Sequence, residues 1–196
     1  MIRPDGNGFV TVYPCGDRPL ASSMNAPDGG GVVANEVIAK VSARGTVCLY
    51  SSVATDLAAD VAGFVPDPSG IVSLKPARLL DTRSKGETTD DGFAALGRVD
   101  ADRFVELDVG GRGGVPSSGV GSVVLNVTMI RPDGNGFVTV YPCGDRPLAS
   151  SMNAPSGGGV VANEVIAKVS TEGTVCLYSS VGTNLAADVT GYVTAA

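Results

Sequence analysis

Residues 1–27 read MIRPDGNGFVTVYPCGDRPLASSMNAP, and residues 129–155 read the same. The match runs on to Val65 in the first copy and Val193 in the second at a constant offset of 128, with scattered changes such as Asp28 to Ser156, Asp56 to Asn184 and Phe64 to Tyr192. This is a tandem duplication, and its register decides how the chain is organised. Met129 lies inside SVVLNVTMI, Ser122 to Ile130, an apolar run that reads as one strand feeding a hairpin turn at RPDGNG. Met1 therefore starts in mid-strand. Two copies of a C-terminal half-unit, 1–65 and 129–193, accompany one N-terminal half, roughly 76–128, and the Pro-rich stretch around PDPSG reads as a linker over 66–75.

The N-terminal half can complete either copy through nearly the same contacts. Connectivity favours the second, because Ser122 to Ile130 runs straight into it and closes a shorter loop. The expectation is a complete β-sandwich over 76–193 and a leftover copy at 1–65 whose apolar strand edges invite self-association.

Composition narrows the class. The 27 Gly, 12 Pro and abundant Val and Thr, without a long helical period, point to an all-β, antiparallel β-sandwich of jelly-roll or immunoglobulin-like type. A net charge of −6 and the lack of a basic stripe argue against nucleic acid as a partner. No apolar run is long enough for a membrane span. No leader-like segment precedes the first strand, so a trimmed leader or a segment of a longer protein is expected. The absence of histidine removes Ser-His-Asp and Cys-His nucleophiles and histidine metal sites, and no cofactor-binding motif stands out.

Cys15 and Cys48 fall in the first copy and Cys143 and Cys176 in the second, and pairing within each copy is the simplest solution. Each bridge would tie a strand end to a neighbouring strand and imply an oxidising compartment. Buried free thiols are the bland alternative. Zinc is disfavoured because CxxC spacing and histidine are both missing.

Along the chain, VVANEVIAKV (32–41) alternates, with Asn35, Val37, Ala39 and Val41 on one face and Glu36, Ile38 and Lys40 on the other. TVCLYSS (46–52), TDLAADVAGFV (55–65) and RFVELDV (103–109) read as further strands, with Asp60 on a solvated face. GGRGGVP (110–116) has the glycine content of a phosphate loop without the βαβ context, and is a long turn. Asn126 in NVT matches a glycosylation sequon in mid-strand. Arg78, Asp81 and Arg83 in PARLLDTR suggest a local salt bridge, or, for Asp81 and Arg83, contact with a sugar hydroxyl or carboxylate.

The order PARLLDTR, GRGGVP, SVVLNVT, GFVTVYPCG, ASSMN, ANEVIAKV, GTVCLYSS and ADVTGYV resembles a repeat domain of secreted and cell-envelope proteins of actinobacteria, often attached to surface enzymes. The resemblance covers Pro76 to Val193 as a whole unit and Met1 to Val65 as a half. It implies an extracellular, cell-envelope location and a non-catalytic accessory role, with no catalytic residues to carry over.

These readings lead to a non-enzymatic module serving as a structural, spacer or adhesive segment of a cell-surface or secreted protein. A carbohydrate- or peptidoglycan-binding module is the alternative, with cell-wall polysaccharide or another protein as partner and Tyr13, Tyr50, Tyr141 and Tyr178 as the few aromatic platforms. A hydrolase using paired carboxylates is the remaining one.

Overall fold

Short apolar and polar alternations broken by glycine form strands, and the computed structural model, which describes residues 1–26, 31–61, 64–65, 70–154 and 158–195, contains no helix among them. The strands in chain order are β1 (Phe9–Pro14), β2 (Met24–Asn25), β3 (Val47–Ser51), β4 (Ile71–Asp81), β5 (Arg103–Asp108), β6 (Val120–Ile130), β7 (Phe137–Pro142), β8 (Met152–Asn153), β9 (Val160–Lys168), β10 (Thr174–Ser179) and β11 (Asn184–Thr194). Two four-stranded antiparallel sheets, β4-β11-β6-β9 and β5-β10-β7-β8, pack face to face. Leu79, Leu125 and Leu185 of one sheet meet Leu107, Val138 and Leu177 of the other in a single apolar cluster. The expected disulfide-bonded β-sandwich is present, with bridges Cys15–Cys48 and Cys143–Cys176.

Several local expectations change. RPDGNG at 131–136 is not a hairpin: β6 and β7 belong to different sheets, and the segment crosses between them. Both flanks of β6 are already taken, by β11 and β9, so the following strand has no edge to pair with beside it. Strand β4 begins at Ile71, paired with Val193, so residues 71–75 lie in the sheet, while 66–69 of the linker lie outside the described residues. In the GGRGGVP turn, a Cβ on Gly113 would come within 2.7 Å of Val189 and 3.0 Å of Leu79 at a φ of +57°, so glycine is needed there for close packing.

The first copy folds only in part. Strands β1, β2 and β3 form a three-stranded sheet equivalent to β7, β8 and β10. Residues 32–40 and 160–168 have the same sequence, yet the latter are β9 and the former are not a strand. Likewise, of 55–65, read as strand from the sequence, the described residues 57–61 and 64–65 lack the ladder that 184–194 forms as β11, and 62–63 lie outside the described residues. The missing ingredient is a partner. Strand β6 pairs with both β9 and β11, and the first copy holds only Met1 and Ile2 of its equivalent. Those residues do what they can: Ile2 bridges Val32 and Asp56, as Ile130 pairs Val160 and Asn184. Val61 is left 92% exposed, whereas its counterpart Val189 is fully buried.

The same contrast makes a mutational test. Leu177 is 0% exposed between β5 and β7, and its repeat counterpart Leu49 is 43% exposed. Leu177→Ala should destabilise by about 2–5 kcal/mol, as buried leucine truncations do. Leu49→Ala should cost less than about 1 kcal/mol. Urea denaturation of the two variants checks this.

Candidate functional site: a polar row between the copies

An antiparallel sheet in a two-layer sandwich ordinarily turns one face to water. Sheet β4-β11-β6-β9 does not. Its core-facing residues Leu125, Val127, Leu185 and Val189 alternate with Val124, Asn126, Ala186 and Asp188, and all of these are buried. The first copy covers the second face.

Register builds a row across that covered face. Arg78 of β4 stands opposite Asp188 of β11, Asp188 opposite Asn126 of β6, and Asn126 opposite Glu164 of β9. Arg78 donates from Nε to Asp188 Oδ1 at 2.7 Å and from Nη2 to Asp188 Oδ2 at 3.0 Å, a bidentate fork. Its Nη1 reaches Asp81 Oδ2 at 3.5 Å. Burial works against the Arg78 charge, but Asp188 first and then Asp81 outweigh it, and the guanidinium pKa lies above its ordinary value.

The first copy engages three of the four members. The Ser22 backbone N–H donates to Asp188 Oδ2 at 2.7 Å, and the Ser22 carbonyl accepts from Asn126 Nδ2. Asn35 Nδ2 donates to Asn126 Oδ1 at 2.9 Å and to its own neighbour's carbonyl, Ser23 O, at 2.7 Å. The Ile38 N–H donates to Glu164 Oε1 at 3.1 Å, and Thr190 Oγ1 donates to Glu164 Oε2 at 3.3 Å. Asn126, the sequon residue, is thus buried with its amide used in the interface, and Asp188 lies under the first copy rather than on the solvated face read from the sequence for its counterpart Asp60.

Asp81 and Arg83, the candidate ligand contacts, are brought together. Arg83 donates from Nε to Asp81 Oδ1 at 2.9 Å and from Nη2 to Asp81 Oδ2 at 2.5 Å. Asp81 is fully buried and held between Arg83 and Arg78, so its role is to anchor both guanidiniums. Arg83 itself faces a cleft of about 560 Å³ between the copies. The cleft is lined by Asn7, Phe9 and Asn25 of the first copy and by Arg83, Arg131 and Asn184 of the complete unit, with no carboxylate among its described lining residues. Asn25 Nδ2 is buried without a hydrogen-bond partner.

Three of the four candidate tyrosines have other contacts or are buried, and Tyr13 is half-buried. Arg18 stacks 4.3 Å from the Tyr50 centroid and Arg146 4.1 Å from that of Tyr178, while Tyr141 is buried. Among the described residues no three His, Cys, Asp or Glu side chains converge as a metal site.

The sequence singles out Arg78 as an ion-pair residue and Asn126 as a sequon, and marks Glu164 and Asp188 only through their counterparts Glu36 and Asp60. Their alignment is not legible there, because it depends on the pairing of four strands distant in sequence. The chain matches no family model, no curated protein and no solved structure.

Two predictions test the row. Asp188→Ala leaves Arg78 buried without its main partner and should destabilise by about 3–5 kcal/mol. Asp60→Ala, the same residue in the first copy but exposed, should change stability by less than about 0.5 kcal/mol in the same denaturation assay. The second concerns pH. Burial raises the Glu164 carboxyl to about 6 from 4.5, the bonds from Ile38 and Thr190 hold it down, and Glu36 adds a smaller upward push. The folded protein therefore binds an extra proton between pH 4.5 and 6, and this contribution to stability is full below that window and lost as pH rises through it. After discounting for solvent screening, the loss is of the order of 1 kcal/mol. The difference in stability between wild type and Glu164→Gln, followed across that window, should show it.

Proposed function

We propose that this chain is a non-catalytic extracellular repeat module, a structural, spacer or adhesive segment of a cell-surface or secreted protein. One observation carries the reading: a repeat copy is seated on the sheet of its neighbour through a buried, hydrogen-bonded row. Stacked repeats extend a chain by burying polar and apolar surface between units, which suits a spacer. The two disulfides accord with an oxidising compartment. The strongest carboxylates of the row are consumed by guanidiniums and backbone donors, which leaves little for acid and base chemistry. Resemblance to the actinobacterial envelope repeat points the same way.

A second reading, a module binding cell-wall polysaccharide, is favoured by the cleft. Arg131 is exposed there beside Arg83 and three asparagines, a donor-rich lining suited to a carboxylated saccharide. The test is a pull-down of oxidised protein with purified sacculi and insoluble polysaccharides, run with a screen for glycoside and peptide turnover. The structural reading expects neither saturable binding nor turnover. Saturable binding lost by at least tenfold in Arg131→Glu would establish the saccharide reading instead, and reproducible turnover by the wild-type protein would overturn the non-catalytic reading.

A further inference from the structure

The stretch DRPLASSMN occurs at 17–25 and again at 145–153, and its two copies have different surroundings. In the first, Ala21 and Ser22 are buried against the row of the complete unit and Leu20 is 43% exposed. In the second, Ala149 and Ser150 are exposed and Leu148 is 100% exposed. An apolar side chain held fully in water beside a sequence that is an interface elsewhere in the same chain is an unpartnered docking element.

The exposed copy keeps the bonds that hold the docked loop, and adds two of its own, Ala149 N–H to Pro147 O and Ser150 Oγ to Met152 O. Thr11 Oγ1 donates to Ala21 O at 2.7 Å, and Thr139 Oγ1 donates to Ala149 O at 2.6 Å. Val12 N–H donates to Ser23 Oγ at 2.9 Å, and Val140 N–H donates to Ser151 Oγ at 3.0 Å. Ser22 and Ser150 hydroxyls each reach an asparagine Oδ1, Asn25 or Asn153, at 3.3 Å. Asn35 Nδ2 bonds Ser23 O at 2.7 Å, and Asn163 Nδ2 bonds Ser151 O at 2.8 Å. The loop is therefore held by its own strands and needs no ordering on docking, which removes much of the usual entropic cost. The Ile38 contact to Glu164 is left out of this transferable set, because residues 160–168 are in β9.

We infer that Leu148–Ser151, with Asn163, docks onto the outward sheet face of another repeat unit, one that presents an open row of the Arg78, Asp188 and Asn126 type. The Ser150 N–H would meet the aspartate, and the Ser150 carbonyl and Asn163 amide the asparagine. The contact is heterologous: a loop on one unit, a sheet face on the next. Such contacts propagate as open chains unless the rotation closes a ring. Within one molecule the face is filled by Ser22 and Asn35 of the first copy, tethered at an effective concentration of about millimolar, so the wild-type chain stays single. The inference rests on the structural reading of the module, and names the surface by which its units join.

The experiment opens the face in the full chain. Ser22→Asp sets a carboxylate against Asp188 and releases the first copy, read as loss of amide protection at 20–23 by hydrogen exchange. Light scattering should then show mass rising from one chain to two and more with concentration, while Ser22→Asp combined with Ser150→Asp, and wild type, remain single. Ala21→Arg, with Ala149→Arg as its blocking partner, repeats the test should Ser22→Asp fail to fold. An opened face with single-chain mass at every concentration overturns the inference. So does a face that stays closed in both variants, since the shared contacts would then not be what holds it. Neither result touches the structural role, which is judged by the binding and turnover screens.

Discussion

A β-strand persists where a neighbour satisfies its backbone N–H and C=O groups, and this chain supplies β4, β5 and β6 once for two sets of strands that need them. Everything unusual about the molecule follows from that shortage. The second copy receives all three and closes a sandwich whose core runs through Leu79, Leu107, Leu125, Leu177 and Leu185. The first copy keeps the sheet that needs least help, β2-β1-β3, tied by Cys15–Cys48. Its described residues 31–40 and 56–61 form no second sheet, and Ile2 makes single bridges to Val32 and Asp56 where β6 makes ladders.

The shortage is partly met by docking. Loops of the first copy give their backbone groups to side chains of the complete unit: Ser22 to Asp188 and Asn126, Ile38 to Glu164. Buried charges are tolerable there because each is matched. Arg78 is forked onto Asp188 and touches Asp81, which is itself held by Arg83. Removing one partner would leave another charge stranded out of water, which is why such a row acts as a unit.

One sequence thus serves two purposes in one chain. DRPLASSMN is an interface at 17–25, whereas at 145–153 its Leu148–Ser150 segment faces solvent, with the threonine and serine bonds that hold the loop kept in both copies. Local structure in that loop is set by its own threonine and serine hydroxyls, whereas its burial is set by what lies opposite. The reverse holds for VVANEVIAK, where even the strand itself depends on the neighbour.

The sequence by itself determined the repeat, its register and the all-β class, and it favoured pairing of the cysteines within each copy and of residues 76–128 with the second copy. These are local or covalent matters, or follow from the short path joining Ser122–Ile130 to the second copy. Alternation in RFVELDV puts Val105, Leu107 and Val109 on one face, and that face is the core side, with Leu107 and Val109 fully buried and Val105 partly so. Only the tertiary structure decided that RPDGNG crosses between sheets, that residues 32–40 and 56–61 go without strands, and that Asp188 is buried while Asp60 is not. Identical residues cannot encode different fates locally. The difference comes from long-range pairing, in which Arg78, Asn126, Glu164 and Asp188 become neighbours only after four strands align.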